Sequence, residues 1–559
     1  MKYYLLTFLT ILMACNNSPQ YDIVIHNGAI YDGSGRAPYS GDIGITGDKI
    51  AKVSTNEILR GKVEIDATGL AVAPGFINIL SWADESLIED GRSMSDIKQG
   101  VTLEVFGEGV SMGPLNAAMK KEMAESQGLI KYDIEWTTLG EFLDYLEHHG
   151  VSCNIASFVG ATTLRVHEIG YENRPPTAEE LARMKDLTRV AMQEGALGIG
   201  SSLIYTPAFY ADTEELIELC KVASEFSGMY ISHLRSESNQ LPEALNELIR
   251  IAGEANLPAE VYHLKAAGKQ NYGKLDQVIE KIDEARKQGL RISTDMYCYT
   301  AGATGLDATM PPWVQEGGYD AWANRLKNPD IRRKVAAEMR ENTDEWENFF
   351  YLTGPDGILL SEFKNPDLRK YIGKTLAEVA KLRGKSPEET AMDLVIADGS
   401  RVEAIYKLMS EENVRKKIRL PYMSFGSDGG SMAVEGVFLQ KKPHPRGFGN
   451  FARLLGKYVR EEKIIPLETA IYKLTALTAE KLNIRQRGKL KAGYFADIVV
   501  FNPNTIRDKA TFENPHQYAE GVKYVFVNGV PVIKNGDHTG ATPGRVVHGP
   551  GWLGWASKK

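Results

Sequence analysis

The chain has 559 residues, too many for one small core, and this length predicts roughly two to four domains. Charged residues make up 25% and hydrophobic residues 43%, which is ordinary for a globular protein. The net charge of −8 supplies no basic surface for nucleic acid and disfavours electrostatic binding to an anionic membrane. We therefore expect no nucleic-acid partner.

The first 20 residues resemble a bacterial lipoprotein signal. An apolar run over residues 5–13 is too short to span a bilayer as a mature helix. It ends in the box Leu12-Met-Ala-Cys15, so we expect cleavage before Cys15, lipidation of that cysteine and a polar tether up to Gln20. An ordinary signal peptide with a chance cysteine is the alternative. The lipid would anchor the protein in the cell envelope, on its periplasmic or surface side.

Strand-like alternation occurs near both ends of the chain. Residues 22–33 alternate, with a predicted turn at Asn27-Gly28, and pair naturally with residues 41–50. Similar patterning returns at 493–501 and again at 522–532. We predict one small β-sandwich domain built from both ends: residues 21–70, and residues 481–559 with a C-terminal tail.

The middle of the chain, residues 71–480, alternates apolar runs with longer helical patterns. The clearest runs are 100–106, 153–159, 197–200, 229–233, 259–263 and 291–295, and the clearest helices are 177–194 and 276–288. Repeated βα units predict a parallel sheet, and about eight of them predict a (β/α)8 TIM-like barrel of the α/β class. Charged helices over about 305–415 indicate an insertion before the last barrel strand, placed to cover the site.

Four chemically capable residues end predicted barrel strands, where such barrels carry their active sites. His233 and His263 end two consecutive strands, Asp428 ends another, and Glu108 lies just past the strand at 100–106. A single histidine at a strand end is usually a satisfied polar residue. Two histidines beside two carboxylates favour a metal site, and zinc suits two imidazoles with a carboxylate and a water.

Several motifs then share their order with a known family. They are Asp22-Ile-Val-Ile-His-Asn-Gly, Ala73-Pro-Gly-Phe-Ile, Ser232-His-Leu-Arg-Ser-Glu, His263-Leu-Lys-Ala-Ala-Gly, Phe425-Gly-Ser-Asp, His444-Pro-Arg-Gly-Phe-Gly and His538-Thr-Gly-Ala-Thr-Pro-Gly-Arg. Over residues 21–545 the chain resembles the N-acyl-D-amino-acid deacylase (D-aminoacylase) family of the amidohydrolase superfamily.

The resemblance implies a role for individual residues. His233 and His263 match the histidines that hold the tightly bound zinc, and Asp428 matches the general base that later acts as general acid. Lys265 and Tyr205 match residues that engage the substrate, and a surface amine and a packed aromatic are the alternatives. Arg235 and Glu237 are expected to orient the first histidine or to form a structural ion pair.

The chain departs from this family in two places. Superfamily members carry an HxH pair after the Pro-Gly-Phe strand, but Leu80 and Trp82 stand there. The metal-binding cysteine of the family is also missing, and Glu108 is the nearest replacement ligand, with a simple turn carboxylate as the alternative. We therefore expect one zinc per chain, held by Glu108, His233 and His263.

The resulting hypothesis is a zinc-dependent amidohydrolase that cleaves the amide of N-acyl-(D-)amino acids. Metal-activated water would attack the acyl carbonyl of this small-molecule substrate, with Asp428 transferring the protons. A dipeptidase or cyclic amidase of the same fold is one alternative. A catalytically inactive surface-binding remnant is the other, because the HxH pair is lost. The sequence leaves the acyl group, the chirality and the oligomeric state open.

Overall fold

The computed structural model describes residues 20–557. The predicted lipoprotein signal and its Cys15 lie outside these residues. In the described part of the chain, no helix combines the length and apolar character needed to cross a membrane. Cys153, Cys220 and Cys298 are buried and unpaired.

Five strands precede the part of the chain in which strands and helices alternate. They are β1 (Tyr21–Ile30), β2 (Tyr39–Thr46), β3 (Lys49–Ser54), β4 (Gly61–Asp66) and β5 (Ala71–Pro74).

The next part of the chain alternates parallel strands with helices, as the sequence predicts. The strands are β6 (Phe76–Asn78), β7 (Val101–Phe106), β8 (Asn154–Ser157), β9 (Val159–Gly160), β10 (Gly198–Ser202), β11 (Met229–His233), β12 (Ala259–Val261) and β13 (Ile292–Met296). The helices are α1 (Asp84–Glu89), α2 (Met94–Ile97), α3 (Ala117–Ser126), α4 (Leu139–His149), α5 (Ala161–Glu168), α6 (Ala178–Glu194), α7 (Thr213–Glu225), α8 (Leu241–Ala255) and α9 (Lys274–Lys287).

A mixed segment then precedes the last parallel strand. Its strands are β14 (Gly302–Gly305), β15 (Ile358–Leu360) and β16 (Glu403–Tyr406). Its helices are α10 (Pro312–Gln315), α11 (Gly318–Arg325), α12 (Pro329–Glu338), α13 (Phe349–Thr353), α14 (Leu376–Arg383), α15 (Pro387–Asp398) and α16 (Glu411–Ile418). The three strands form an antiparallel sheet that the charged helical pattern does not predict. The segment also has its own apolar core, which includes Leu306, Trp322 and Phe350.

The chain returns to the parallel strands with β17 (Met423–Phe425) and then completes the terminal sheet. The remaining elements are α17 (Arg446–Arg453), a π-helix (Leu454–Glu461), α18 (Leu467–Leu474), α19 (Ala476–Lys481), β18 (Ile498–Phe501), β19 (Val522–Val527), β20 (Val530–Lys534), β21 (Asp537–His538) and α20 (Gly554–Ser557).

Strands from both ends of the chain share one sheet. Hydrogen bonds connect nine strands in the order β21-β20-β19-β18-β5-β1-β2-β3, with β4 paired to β1. The backbone of Ile50 in β3 also bonds to Tyr494, just before β18, so the sheet curls over one apolar core. Where the sequence predicts a β-sandwich, the structure has one hydrogen-bonded sheet of nine strands.

The predicted turn at Asn27-Gly28 is wrong. The strand β1 runs through both residues, and its pairing with β2 shifts between Ile25 and Gly28, as in a β-bulge. Asn27 takes a positive φ of 60°, which asparagine tolerates in a bulge as it does in a turn. A side chain at Gly28 would meet Val72 Cγ2 at 2.3 Å, so this glycine permits the close approach of β5.

The parallel strands form the framework of the site. They lie in two sheets, one in the order β6-β7-β8 and one in the order β17-β13-β12-β11-β10-β9. Alternate strand residues, such as Leu103 with Val105 and Met229 with Ile231, form a common buried cluster. Because the strands are parallel, the residues that follow them meet at one edge.

Local signals set the helices between these strands. At the start of α6, Thr177 Oγ1 accepts a bond from the Glu180 amide, and the Glu180 side chain accepts one from the Thr177 amide. This capping box satisfies two of the free amides of the first turn. The helix ends at Gly195, whose φ of 111° is unfavourable for residues with a side chain.

Two buried acids, Asp96 and Glu104, have no Lys or Arg side chain among their hydrogen-bond partners within residues 20–557. Asp96 in α2 accepts a bond of 2.9 Å from Asn78 Nδ2, and Glu104 lies in β7. Burial raises the pKa of Asp96 to about 7 and raises the pKa of Glu104 well above its usual range. Glu104 is therefore favoured in its neutral form when folded, and Asp96 binds a proton more readily than an exposed carboxyl does.

Candidate metal centre and active site

Three ligand-type side chains meet at the carboxyl ends of the parallel strands. Glu108 follows β7, His233 ends β11, and His263 follows β12. Glu108 Oε1 lies 2.7 Å from His263 Nε2 and 3.2 Å from His233 Nδ1. All three side chains are buried, and each offers a donor atom within 4.8 Å of the others. Two imidazoles and a carboxylate at this spacing suit a divalent metal such as zinc.

A second carboxylate, Glu237, faces the opposite nitrogen of each imidazole. Its Oε2 lies 3.2 Å from His233 Nε2, and its Oε1 lies 3.1 Å from His263 Nδ1. Each ring is therefore held between Glu108 and Glu237. A carboxylate in this position fixes the tautomer and orientation of a metal-binding histidine. Glu237 forms its hydrogen bond with His263, whereas its predicted partner His233 lies in ion-pair contact only.

Lys265 lies against Glu237. Its Nζ donates to Glu237 Oε1 at 2.8 Å and to Oε2 at 2.7 Å, and it lies 2.6 Å from His263 Nδ1. Burial acts to lower the pKa of Lys265, but the attraction of Glu237 raises it to about 12. The lysine therefore stays charged and compensates the charge of Glu237.

A residue of the mixed segment also reaches this cluster. Glu347 Oε2 accepts a bond of 3.2 Å from the backbone amide of Glu237, and its side chain is buried. His233, Glu237 and Glu347 have metal-type spacing as well. That second cluster is the poorer cation site, because the ammonium of Lys265 already occupies both oxygens of Glu237.

The electrostatics of the first cluster favour a bound cation. Burial acts to raise the pKa of Glu108, but His263 and His233 lower it below its usual range. Burial lowers the pKa of His263, as does Lys265, yet Glu237 and Glu108 raise it to about 10. Buried carboxylates thus attract protons onto the histidines, and a divalent metal can replace those protons.

Asp428 lies beside the cluster and is paired with a buried arginine. Its Oδ2 is 2.6 Å from Arg446 Nη1, and its amide donates to the Leu80 carbonyl at 2.9 Å. Burial raises the pKa of Asp428, Arg446 lowers it, and Glu108 raises it, with a net increase. Asp428 and His263 also have positive φ values of 48° and 35°. Strained backbone of this kind persists where the surrounding structure enforces it, often at functional sites.

Unpaired donors face the space beside Asp428. Tyr297 Oη and Arg446 Nε are buried and have no hydrogen-bond partner within residues 20–557. The guanidinium of Arg446 lies 4.5 Å from the centre of the Tyr297 ring, and Lys265 Nζ lies 5.9 Å from the same centre. The Tyr297 hydroxyl and the Arg446 guanidinium are suited to an anionic group, because unsatisfied donors are costly to bury. Lys265 is already paired with Glu237 and contributes positive charge only.

Tyr205 contacts a histidine of the site, whereas Arg235 forms its ion pair outside the site. The Tyr205 ring meets the His233 ring edge-on, with 5.5 Å between ring centres, so Tyr205 borders the site. Arg235 points away and forms a two-pronged pair with Glu247, at 2.9 and 2.8 Å. It also donates to two backbone carbonyls. Arg235 forms a structural ion pair, but with Glu247 and not with Glu237, which pairs with Lys265.

Four residues of the site are not predicted from the sequence: Trp82, Tyr297, Glu347 and Arg446. The sequence marks Trp82 only as a position without a metal ligand, whereas its indole nitrogen donates to Glu108 Oε2 at 2.9 Å. Arg446 stands inside the motif His444-Pro-Arg, which was a usable signal. Glu347 belongs to the mixed segment, and no local pattern marks it.

Comparison with known proteins defines the class. A sequence profile described as the Amidohydrolase family matches residues 170–533. The chain therefore belongs to the amidohydrolases, which agrees with parallel strands that carry histidines and carboxylates at their ends.

Relatives narrow the assignment. The D-aminoacylase of Alcaligenes xylosoxydans xylosoxydans is 33% identical over 96% of this chain and 99% of its own length. A D-aminoacylase structure described for its binuclear metal centre, with one-metal activation and second-metal attenuation, has a TM-score of 0.79 at 30% identity, over 94% of this chain and all of that one. The N-acyl-D-glutamate deacylase of Bordetella bronchiseptica, solved with zinc and a phosphonate inhibitor, has a TM-score of 0.77 at 28% identity, over 94% and 99%. Within the amidohydrolases the chain belongs to the D-aminoacylase family and is a hydrolase of carbon–nitrogen bonds other than peptide bonds.

Proposed function

We propose that the protein is a zinc-dependent deacylase of N-acyl-D-amino acids with one metal ion per chain. The observation that carries the proposal is the buried cluster of Glu108, His233 and His263 beside Asp428. The D-aminoacylase relatives support the substrate class. The barrel is proposed to be closed, because the Asp428 amide on the β17 side bonds to Leu80 on the β6 side.

Glu108, His233 and His263 would hold the metal. Two imidazole nitrogens and one carboxylate oxygen are ligands that zinc accepts, and a catalytic site keeps a further position open. When bound, the metal supplies Lewis-acid chemistry, which lowers the pKa of water and polarises the acyl carbonyl. Glu237 would keep both imidazoles in the ligand tautomer.

Asp428 is the proposed proton carrier. As a buried carboxylate it would accept the proton of the attacking water and then deliver it to the departing amine. Arg446 Nη1 forms a charge pair with Oδ2, which would leave the other oxygen for the proton. Burial raises its pKa, which improves a carboxylate as a base.

The amino-acid carboxylate of the substrate would bind at the unpaired donors, which are the Tyr297 hydroxyl and Arg446 Nε. Lys265, although paired with Glu237, adds positive charge nearby. Tyr205 would contact another part of the substrate from the His233 side. A carboxylate held here lies close to the proton carrier, as the scissile amide of an N-acyl-amino acid requires.

Metal analysis and a substrate screen test the proposal together. We expect about one zinc per purified chain, and hydrolysis of N-acyl-D-amino acids faster than of the L-enantiomers, dipeptides or cyclic imides. Zinc with activity on dipeptides or cyclic imides would reassign the substrate. Absence of both zinc and activity would favour the surface-binding remnant.

The proposed location is the cell envelope, through a lipid on Cys15. Mass spectrometry of the N-terminal peptide from membranes should find a diacylglyceryl cysteine. An unmodified peptide in the soluble fraction would refute the anchor.

A further inference from the structure

Trp82 and Glu108 form a direct contact between the two departures from the family pattern. The Trp82 indole Nε1 donates to Glu108 Oε2 at 2.9 Å, whereas Glu108 Oε1 faces both histidines. The two oxygens of one carboxylate therefore have separate partners. The indole nitrogen is a donor only, so Trp82 cannot itself bind a metal.

Backbone hydrogen bonds fix the main chain that carries the indole. The Trp82 amide donates to the Gly429 carbonyl at 3.1 Å, and the Asp428 amide donates to the Leu80 carbonyl at 2.9 Å. Leu80 is completely buried in the cluster formed by the inward-facing strand residues. These two bonds connect the segment after β6 to the segment after β17. The Trp82 side chain then extends from the first segment to Glu108.

We propose that Trp82 is a positioning residue for Glu108: its indole N–H engages Oε2, so that Oε1 alone is presented to the metal. The inference rests on the proposed metal site. A glutamate replacing a cysteine thiolate has a longer side chain and two oxygens, so it needs an added constraint to act as a single, fixed ligand. The tryptophan that replaces a histidine supplies that constraint.

A hydrogen bond to a ligating carboxylate contributes to metal affinity without touching the metal. Loss of such a partner typically weakens metal binding about 10- to 100-fold. Trp82→Phe keeps most of the aromatic bulk and removes the N–H. Because Trp82 is 37% exposed, the substitution opens little buried volume.

The chain provides a matched control. The Trp313 indole also donates to a glutamate, Glu338 Oε2, at 2.8 Å, in the mixed segment. Trp313→Phe therefore removes the same kind of bond at a site with no predicted ligand. Any general effect of losing an indole–carboxylate bond should appear in both variants.

The test is a zinc titration of metal-stripped protein against a competing chelator. We expect Trp82→Phe to bind zinc about 10- to 100-fold more weakly than the unmodified protein, and Trp313→Phe to bind it equally well. The melting temperatures of both metal-free variants should stay close to the unmodified value. Equal zinc affinity in Trp82→Phe and the unmodified protein would overturn the inference.

The outcomes separate this inference from the proposed function. If the unmodified protein binds no zinc, the metal site itself is refuted. If it binds one zinc and Trp82→Phe does so with unchanged affinity, the positioning role alone is refuted. Trp82→Leu, which also lacks a donor, is a second variant with the same expectation should Trp82→Phe not fold.

Discussion

Replacing Asp428 with asparagine should separate catalysis from metal binding. The amide cannot accept the proton of the attacking water, and general acid–base catalysis contributes about 10²- to 10⁴-fold to a rate. At 1.36 kcal/mol per factor of ten, this corresponds to roughly 3 to 5.5 kcal/mol of activation free energy. We therefore expect kcat to fall at least about 100-fold.

The same substitution removes the charge partner of Arg446. Asp428 and Arg446 are 8% and 4% exposed, so an unpaired guanidinium would remain buried. Breaking a buried pair in this way costs about 3 to 5 kcal/mol of folding stability. Because Arg446 is then free for the substrate carboxylate, KM should not rise. Because an unfolded fraction would also lower the apparent kcat at unchanged KM, kcat is expressed per zinc-loaded chain.

The assay is steady-state hydrolysis of an N-acyl-D-amino acid well below the melting temperature, with zinc measured in the same sample. Zinc content should remain at the unmodified level, because Asp428 is not among the proposed ligands. Asp508→Asn is the control, since Asp508 pairs with Arg453 at 2.8 Å outside the site. A zinc-loaded Asp428→Asn variant with kcat within tenfold of the unmodified enzyme would refute the assignment of Asp428.

Three further predictions concern the proposed metal ligand Glu108, the proposed carboxylate-binding residue Tyr297 and the buried acid Asp96. Glu108→Gln should lose zinc during dialysis, because an amide oxygen is a weak ligand; full retention in elemental analysis would exclude Glu108 as a ligand. Tyr297→Phe removes an unpaired hydroxyl, so KM should rise about five- to tenfold, as for one hydrogen bond of about 1 kcal/mol, while thermal stability holds; an unchanged KM would remove Tyr297 from the pocket. Asp96 has a raised folded pKa, so the native state binds more protons than the unfolded state, and its contribution to stability is lost as pH rises from about 4 towards 7. Asp96→Asn should therefore show a smaller loss of melting temperature between pH 5 and pH 8, and an equal loss would contradict the assignment.

Local patterns were sufficient for much of the framework. The run Met229–His233 appears as β11 with His233 at its end, and the capping residues before α6 mark its first turn. Strand-end positions brought Glu108, His233 and His263 together, because parallel strands align their carboxyl ends. These features depend on periodicity and on residues close in the chain.

Other features depend on contacts that no local pattern encodes. Glu347 reaches Glu237 from the mixed segment, and Arg446 reaches Asp428 from the start of α17. The partner of Arg235 is Glu247, although Glu237 is nearer in sequence, because the arginine points away from the histidines. The sequence shows that Trp82 cannot bind a metal, but its contact with Glu108 depends on how the segments after β6 and β7 lie in space.

The pairing of β5 with β18 also has a consequence during synthesis. Val72 pairs with Val500, so one side of β5 has no hydrogen-bonding partner until most of the chain has left the ribosome. At ordinary translation rates this interval lasts roughly 20 to 90 seconds. An unpaired strand edge can recruit other chains. Since β6 and the Trp82 segment follow β5 directly, mispairing at this edge would displace the strand that leads into the active site.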